Sequence, residues 1–240
     1  MRRGARRSVR WNTGSCVAEA GPPDGPVKLV ILPRTRAGLG RDGLRRHLET
    51  VHGPMVMAEP EVSGRFVTYV HHYAQVPDIA MPVLDDRDAV TIIRFATLAD
   101  LAASKAAAGY RDVVGPDEDN FRDIEGSVAL LVREAESLCG TDDALLKLFV
   151  FRTVGNFSDD ALAGWADALR AKAPGWGITG AVTNVADKVE GLFPYGQFDE
   201  LGLRASGDAA LALNRLTQEF EDMFGPVPTS CILTEPVRFL

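Results

Sequence analysis

Cysteine is scarce in this chain of 240 residues: Cys16, Cys139 and Cys231 are three in number and far apart. They make neither a disulfide framework nor a zinc site, and they suit a reducing cytoplasm. No apolar run reaches the roughly 18 residues that span a membrane. Basic charge is in deficit, with a net of −7, which argues against general nucleic-acid binding. Phosphate loops, dinucleotide fingerprints and nucleophile elbows are missing; Gly38-Leu39-Gly40 is too short a motif to use. Histidine is absent from the second half, since His47, His52, His71 and His72 are the complete set. Acid–base chemistry that needs an imidazole is therefore confined to the first half.

What is present is an ordinary globular composition, 46% hydrophobic and 25% charged. Residues 1–26 stand apart. Five arginines against Glu19 and Asp24 give +3, which leaves −10 for the remainder. This stretch is rich in Gly and Pro and too poor in apolar residues to offset its ordering entropy. It reads as a disordered Arg-rich leader, with a transit peptide or a nucleic-acid arm as the alternatives.

From Val27 the chain alternates strands and helices. Val27–Pro33, Arg65–Ala74, Val90–Phe95 and Ser127–Glu134 are β-branched or apolar runs and read as strands. A helix between the first two carries Leu44, Leu48, Val51 and Met55 on one face, and Gly53-Pro54 stops it, with a short second turn around Met55–Ala58 as its continuation in the alternative. His52 sits at the border of that face. Thr97 caps a second helix, with Asp100 at the capping-box position. Residues 110–125 read as an acidic, irregular loop.

A charged linker over 135–144 precedes the same order again. Strands are expected at Leu145–Thr153, Gly177–Ala186, Phe198–Arg204 and Thr229–Val237. Ser158 caps one helix, and Ser206–Phe224 is the other. The prediction is an α+β protein of two tandem ferredoxin-like β-α-β-β-α-β units, residues 27–134 and 145–240. Their open sheet faces pack on one another as a barrel, a pseudo-dimer within one chain. Pairing between two chains is the alternative.

Arg34, Leu44, His52-Gly53-Pro54 and the later Tyr110, Asp117-Glu118, Phe121 and Asp123 carry a resemblance. Over about residues 27–134 the chain resembles EthD-type members of the dimeric α/β-barrel superfamily. The resemblance implies a ligand cavity between the helices and the sheet, with His52 as the family histidine and Asp117-Glu118 as the acid pair. It implies small-molecule chemistry of aromatic or secondary metabolism. The first expectation is a cofactor-independent lyase or cyclase, of dehydratase or isomerase type, acting on an aromatic or polyketide-like molecule. A cofactor-free monooxygenase in the same cavity, a non-enzymatic binding protein and a haem binder are the alternatives. The family's frequent third-strand acidic residue is missing, because Thr91, Ile92, Ile93 and Arg94 precede Phe95.

The residues then suggest roles. His52 is the expected acid–base group, with Asp117 or Glu118 orienting its other ring nitrogen. Tyr69, His71 and Tyr73 share one face of a strand and His72 the other. All four are candidates for substrate contact, and Arg94 could hold an anionic group. His47 and His52 are about 140° apart on an α-helix, which is not a zinc-helix spacing. Neither a metal nor another cofactor is expected. Trp165 and Trp176 read as core, and the second half as a partner sheet with a degenerate pocket.

Overall fold

The computed structural model describes residues 25–77, 80–138, 144–154, 157–190 and 193–240. Most of the expected leader lies outside these residues. So does the middle of the expected linker, whose first residues instead prolong a strand. In chain order the elements are β1 (Val27–Thr35), α1 (Gly40–His47), a π-helical turn (Leu48–His52), α2 (Gly53–Met57) and α3 (Pro60–Ser63). Then follow β2 (Phe66–Ala74), β3 (Ala89–Phe95), α4 (Leu98–Ala106), a second π turn (Tyr110–Val114), α5 (Gly115–Phe121) and β4 (Arg122–Leu138). The rest of the chain forms β5 (Leu146–Arg152), α6 (Asp159–Lys172), β6 (Ile178–Glu190), β7 (Gln197–Leu203), α7 (Asp208–Phe224) and β8 (Thr229–Arg238). Two expected caps are in place: Thr97 Oγ1 accepts from Asp100 N–H at 3.1 Å, and Ser158 Oγ from Ala161 N–H at 3.2 Å. Residues 110–125, expected to be irregular, are largely helical.

The strands close into one barrel in the order β1-β3-β2-β8-β5-β7-β6-β4, and every pairing is antiparallel. The expected sheet-to-sheet stacking is thus completed by edge pairing. β2 pairs with β8 and β4 with β6, so neither half keeps an open sheet edge. Alternation along each strand splits the core into three. Val30, Ile92, Leu130, Phe149, Phe198 and Ile232 point into the barrel. The outer face of the first half packs under α2–α5, with Leu29, Tyr69, Ile93 and Phe95 buried. That of the second half packs under α6 and α7, around Trp165, Leu169, Leu216 and Phe220. Each fully buried Leu or Phe contributes about 1.5–3 kcal/mol.

One end of the barrel interior is ionic and ties the halves together. Lys28 Nζ donates to Glu134 (3.0 Å), to Asn184 Oδ1 (2.8 Å) and to Glu200. Lys147 Nζ lies 3.6 Å from the other Glu200 oxygen. Burial opposes the Glu200 charge, but Lys28 and Lys147 outweigh it and hold the carboxyl down at about 2. Among the described residues no helix is long and apolar enough to cross a membrane.

Candidate active site

The backbone around His52 departs from the α-helix for a reason written in the sequence. Pro54 has no N–H, and in an α-helix its ring would collide with the carbonyl four residues back. The chain widens just before it: Gly53 N–H bonds to Leu48 O, five residues back. Pro54 then falls in the first turn of α2, where no N–H is needed. The helical path therefore continues through Gly53-Pro54: the stop expected there is corrected, and the continuing turn offered around Met55–Ala58 is found as Gly53–Met57. The same device recurs at Gly115-Pro116, where Gly115 N–H bonds to Tyr110 O before α5 begins. Both glycines are required by space. A Cβ would lie 2.8 Å from Leu48 O at Gly53 and 2.9 Å from Tyr110 O at Gly115.

The wider turn changes which residues face inward. Leu44, Leu48, His52 and Val56 are buried at a spacing of four, whereas Val51 is 39% exposed. His52 thus moves from the border of the apolar face to its middle.

Asp117, in the first turn of α5, meets it there. His52 Nδ1 lies 3.0 Å from Asp117 Oδ2. His47 Nε2 lies 2.9 Å from the same oxygen, and Asn120 Nδ2 donates to Oδ1 at 3.0 Å. The Phe121 ring packs edge-on against His52, with centroids 4.7 Å apart. Burial opposes the Asp117 charge, but the bonds from Asn120, His47 and His52 hold its carboxyl below the usual carboxylate range. An ionised Asp117 accepts the Nδ1 proton of His52. Nε2 is then the lone-pair nitrogen, and His52 lines the cavity. Burial depresses the His52 pKa, more than Asp117 and Glu118 raise it.

That cavity, with its mouth, holds about 640 Å³ of open space between the helices and the sheet of the first half. Its floor includes Ile31, Tyr69, His71, Thr91 and Ile93, and Val56 and Val114 form walls. Polar groups gather at Lys105, Tyr110, Glu118 and Arg122. Tyr110 Oη donates to Glu118 at 2.9 Å, Arg122 donates to the other Glu118 oxygen, and Lys105 donates to Tyr110. Glu118 is desolvated, yet Arg122 and Lys105 keep its carboxyl below its ordinary value. The acid pair therefore divides: Asp117 serves the histidines, and Glu118 is an ionised wall group paired with Arg122.

The expected substrate contacts divide as well. Tyr69 lines the cavity, and burial holds its phenol protonated. His71 lies beside it, with Nδ1 2.7 Å from Thr91 Oγ1 and Nε2 sealed away without a partner. Tyr73 shares their face but lies past the cavity, among Leu44, Leu48 and Phe121, with Arg45 5.0 Å above its ring. His72 points into the barrel, where Nδ1 donates to Val90 O at 3.0 Å and the ring meets Phe149. Arg94 is also on that face and donates to Glu134 at 2.9 Å. His72 and Arg94 are thus removed from the site by strand alternation. His47, Lys105 and Arg122 were not anticipated. For His47 the available signal was Pro54, which bars an unbroken α-helix there.

The second half fills the corresponding space. Thr183 pairs with Asp199 across β6 and β7 as His71 pairs with Thr91 across β2 and β3. Asp199 accepts from Trp165 Nε1 (3.0 Å), Thr183 Oγ1 (2.7 Å) and Arg152 Nη1 (2.5 Å), all fully buried. Trp165 is core, as expected.

Among the described residues no cluster of three His, Cys, Asp or Glu could hold a metal. A haem would need an open imidazole and cations for its carboxylates. His52 does line the cavity, held through Nδ1 by Asp117, but His71 Nε2 is sealed, the second half has no histidine, and the cations that haem carboxylates would need, Lys105 and Arg122, are engaged by Tyr110 and Glu118. These residues do not fit a haem.

Residues 36–125 match the family model of the EthD domain. No curated protein sequence matches the chain. Among solved structures, an anthrone oxidase-like protein is similar at 12% identity, over 89% of this chain and 92% of that one, with a TM-score of 0.58. A candidate monooxygenase from Lactobacillus acidophilus NCFM is similar at 9% identity over 90% and 95%, with a TM-score of 0.52. A mutant chlorite dismutase from Candidatus Nitrospira defluvii is similar at 10% identity over 88% and 92%, with a TM-score of 0.51. At such identities the likeness is one of fold. These structures bear the names of oxidative enzymes, and the expectation of a lyase or cyclase is corrected on that finding.

Proposed function

We propose that this chain, an EthD-domain protein of the dimeric α/β-barrel superfamily, oxidises an uncharged aromatic carbon acid with dioxygen and without a bound cofactor. One observation carries the reading: a histidine that lines a largely apolar cavity has Nδ1 held by a buried carboxylate, which leaves Nε2 as the acceptor. The substrate class follows from the walls. Both cations of the cavity are already engaged by Glu118 and Tyr110, so an anionic group has no spare partner there. Aliphatic walls suit flat rings.

The chemistry balances on dioxygen alone. His52 Nε2 takes a proton from a methylene that a neighbouring carbonyl acidifies. Asp117 and Glu118 stabilise the imidazolium that forms. The carbanion passes one electron to O₂, and the resulting radical pair joins into a C–O bond. The imidazolium returns its proton to the peroxide. Loss of the second C–H proton to His52 breaks the O–O bond. The departing hydroxide takes that proton and leaves as water. In sum CH₂ and O₂ become C=O and H₂O: carbon is oxidised by four electrons, and O₂ accepts them. Tyr69, a protonated phenol in the floor, is placed to donate to the substrate oxygen.

We read residues 27–134 and 145–240 as tandem ferredoxin-like units forming a pseudo-dimer within one chain. The strand orders β4-β1-β3-β2 and β8-β5-β7-β6 support this. The first unit carries the chemistry, and the second supports it.

The test is oxygen uptake with anthrone as probe. Expected is one O₂ consumed per molecule oxidised and no conversion under argon. Conversion without oxygen, or wild-type protein that consumes none, overturns the reading.

A further inference from the structure

The chain end of the second half lies on the site of the first. Beyond β8 the chain continues alongside β2. Phe239 N–H donates to Tyr69 O at 2.9 Å, and Tyr69 N–H donates to Leu240 O at 3.1 Å. These bonds set the Phe239 ring against two residues of the cavity lining, Tyr69 and His71, and against Gly53 behind it. Its centroid is 5.4 Å from that of Tyr69 and 5.2 Å from that of His71, edge-on to the imidazole. It also presses on the backbone of Gly53, where a Cβ would lie 2.4 Å from two ring carbons. That approach is closer than any side chain at position 53 allows. Gly53 is the residue whose N–H closes the π turn, and it directly follows His52.

We propose that Phe239 is a positioning residue for His52: its ring, seated on Gly53, locks the π turn in the register that puts Nδ1 on Asp117 and Nε2 in the cavity. The same ring, with Tyr69 at 4.8 Å, covers His71. Of the two histidines that line the cavity, His71 thereby keeps Nε2 buried, which leaves the base role to His52. The second half thus acts on the chemistry of the first through one side chain. Without the ring, water reaches the gap beside Gly53, and a helix that ends before Pro54 competes with the π turn. A helix ending there would no longer hold His52 on Asp117.

The inference rests on His52 being the base, so its test reads the imidazole itself. ¹⁵N-histidine-labelled full-length protein is compared as wild type, Phe239→Ala and Phe239→Leu by multiple-bond ¹H–¹⁵N NMR. Expected in the wild type is a single His52 tautomer with the proton on Nδ1. Phe239→Ala gives mixed tautomers, and kcat for anthrone oxidation falls about 10²-fold with KM within threefold. Phe239→Leu, which keeps apolar bulk on Gly53, restores the tautomer and most of kcat. A folded Phe239→Ala that keeps the wild-type tautomer overturns the proposal, as does a Phe239→Leu as impaired as Phe239→Ala. Wild-type protein that shows the tautomer but consumes no oxygen overturns the functional reading alone.

Discussion

His47 and His52 share one carboxylate oxygen: Asp117 Oδ2 lies 2.9 Å from His47 Nε2 and 3.0 Å from His52 Nδ1. Five residues separate them, the span of one π-helical bond, so the turn Leu48–His52 brings them to the same side. Two imidazoles and Asn120 hold the anion in place, and it in turn fixes the ring of His52. The two histidines are not equivalent. Only His52 reaches the cavity.

His52→Gln is expected to fold and to lose about 10²–10⁴ in kcat, the usual contribution of a positioned base. His47→Gln is expected to cost about tenfold or less, because Asn120 and His52 still hold Asp117. Steady-state oxygen uptake and circular dichroism on both variants check this. A folded His52→Gln with full activity ends the assignment.

The rate should fall on the acid side. The base form of His52 is its neutral form, and burial lowers its pKa from 6.5. The acid limb of kcat/KM therefore has its midpoint below 6.5, and activity is full above it. Asp117→Asn removes an anion that favours the imidazolium, so the limb moves to still lower pH while kcat drops. A limb that rises with this substitution contradicts the pairing.

Stability should also fall on acidification. His72 is sealed in the barrel, and burial holds its pKa down at about 3. Unfolded histidine takes a proton near 6.5, but folded His72 does not. Its contribution is therefore complete above 6.5 and is lost as pH falls from 6.5 toward 3, at about 1.4 kcal/mol per pH unit. His72→Phe, stacked edge-on against Phe149, should reduce the slope of the urea midpoint between pH 6 and 4.5. An unchanged slope assigns the loss to other groups.

The second half should tolerate no break in its buried ion pair. Asp199→Ala strands the Arg152 guanidinium, which is fully buried, and should cost about 3–5 kcal/mol. Under conditions where the variant is still folded, kcat should be unchanged, since Asp199 lies under α6 in the other half. Thermal melting and oxygen uptake on one preparation separate the two effects.

Gly115→Ala tests the second π turn. Its Cβ would meet the Tyr110 carbonyl at 2.9 Å, a backbone atom that cannot swing away. About 1–3 kcal/mol of destabilisation is expected, together with a drop in kcat, because Asp117 lies two residues on. Destabilisation with kcat intact would detach the turn from the site.

Local chemistry in the sequence determined much of this protein. β-branched runs located all eight strands, since alternation and side-chain shape act within each segment, but β4 and β6 run on beyond their expected ends, where pairing with a neighbouring strand decides the length. Thr97 and Ser158 marked their helix starts because a cap bonds only two or three residues ahead. The placement of all four histidines in one half confined imidazole chemistry to that half. His52 and the pair Asp117-Glu118 were legible together through the EthD resemblance, not through spacing, because 65 residues separate His52 from Asp117; which of the two carboxylates holds the ring was not. Tertiary structure decided the rest. Gly53-Pro54 reads locally as a stop, but packing against Phe239 and the sheet favours a widened turn over an end, and this brought in His47 and buried His52. Strand alternation says that His71 and His72 oppose one another; only closure of the barrel says which of them faces the helices. Phe239 reaches Gly53 across 186 residues of chain, a contact that no local pattern encodes, because it exists only once β8 has paired with β2.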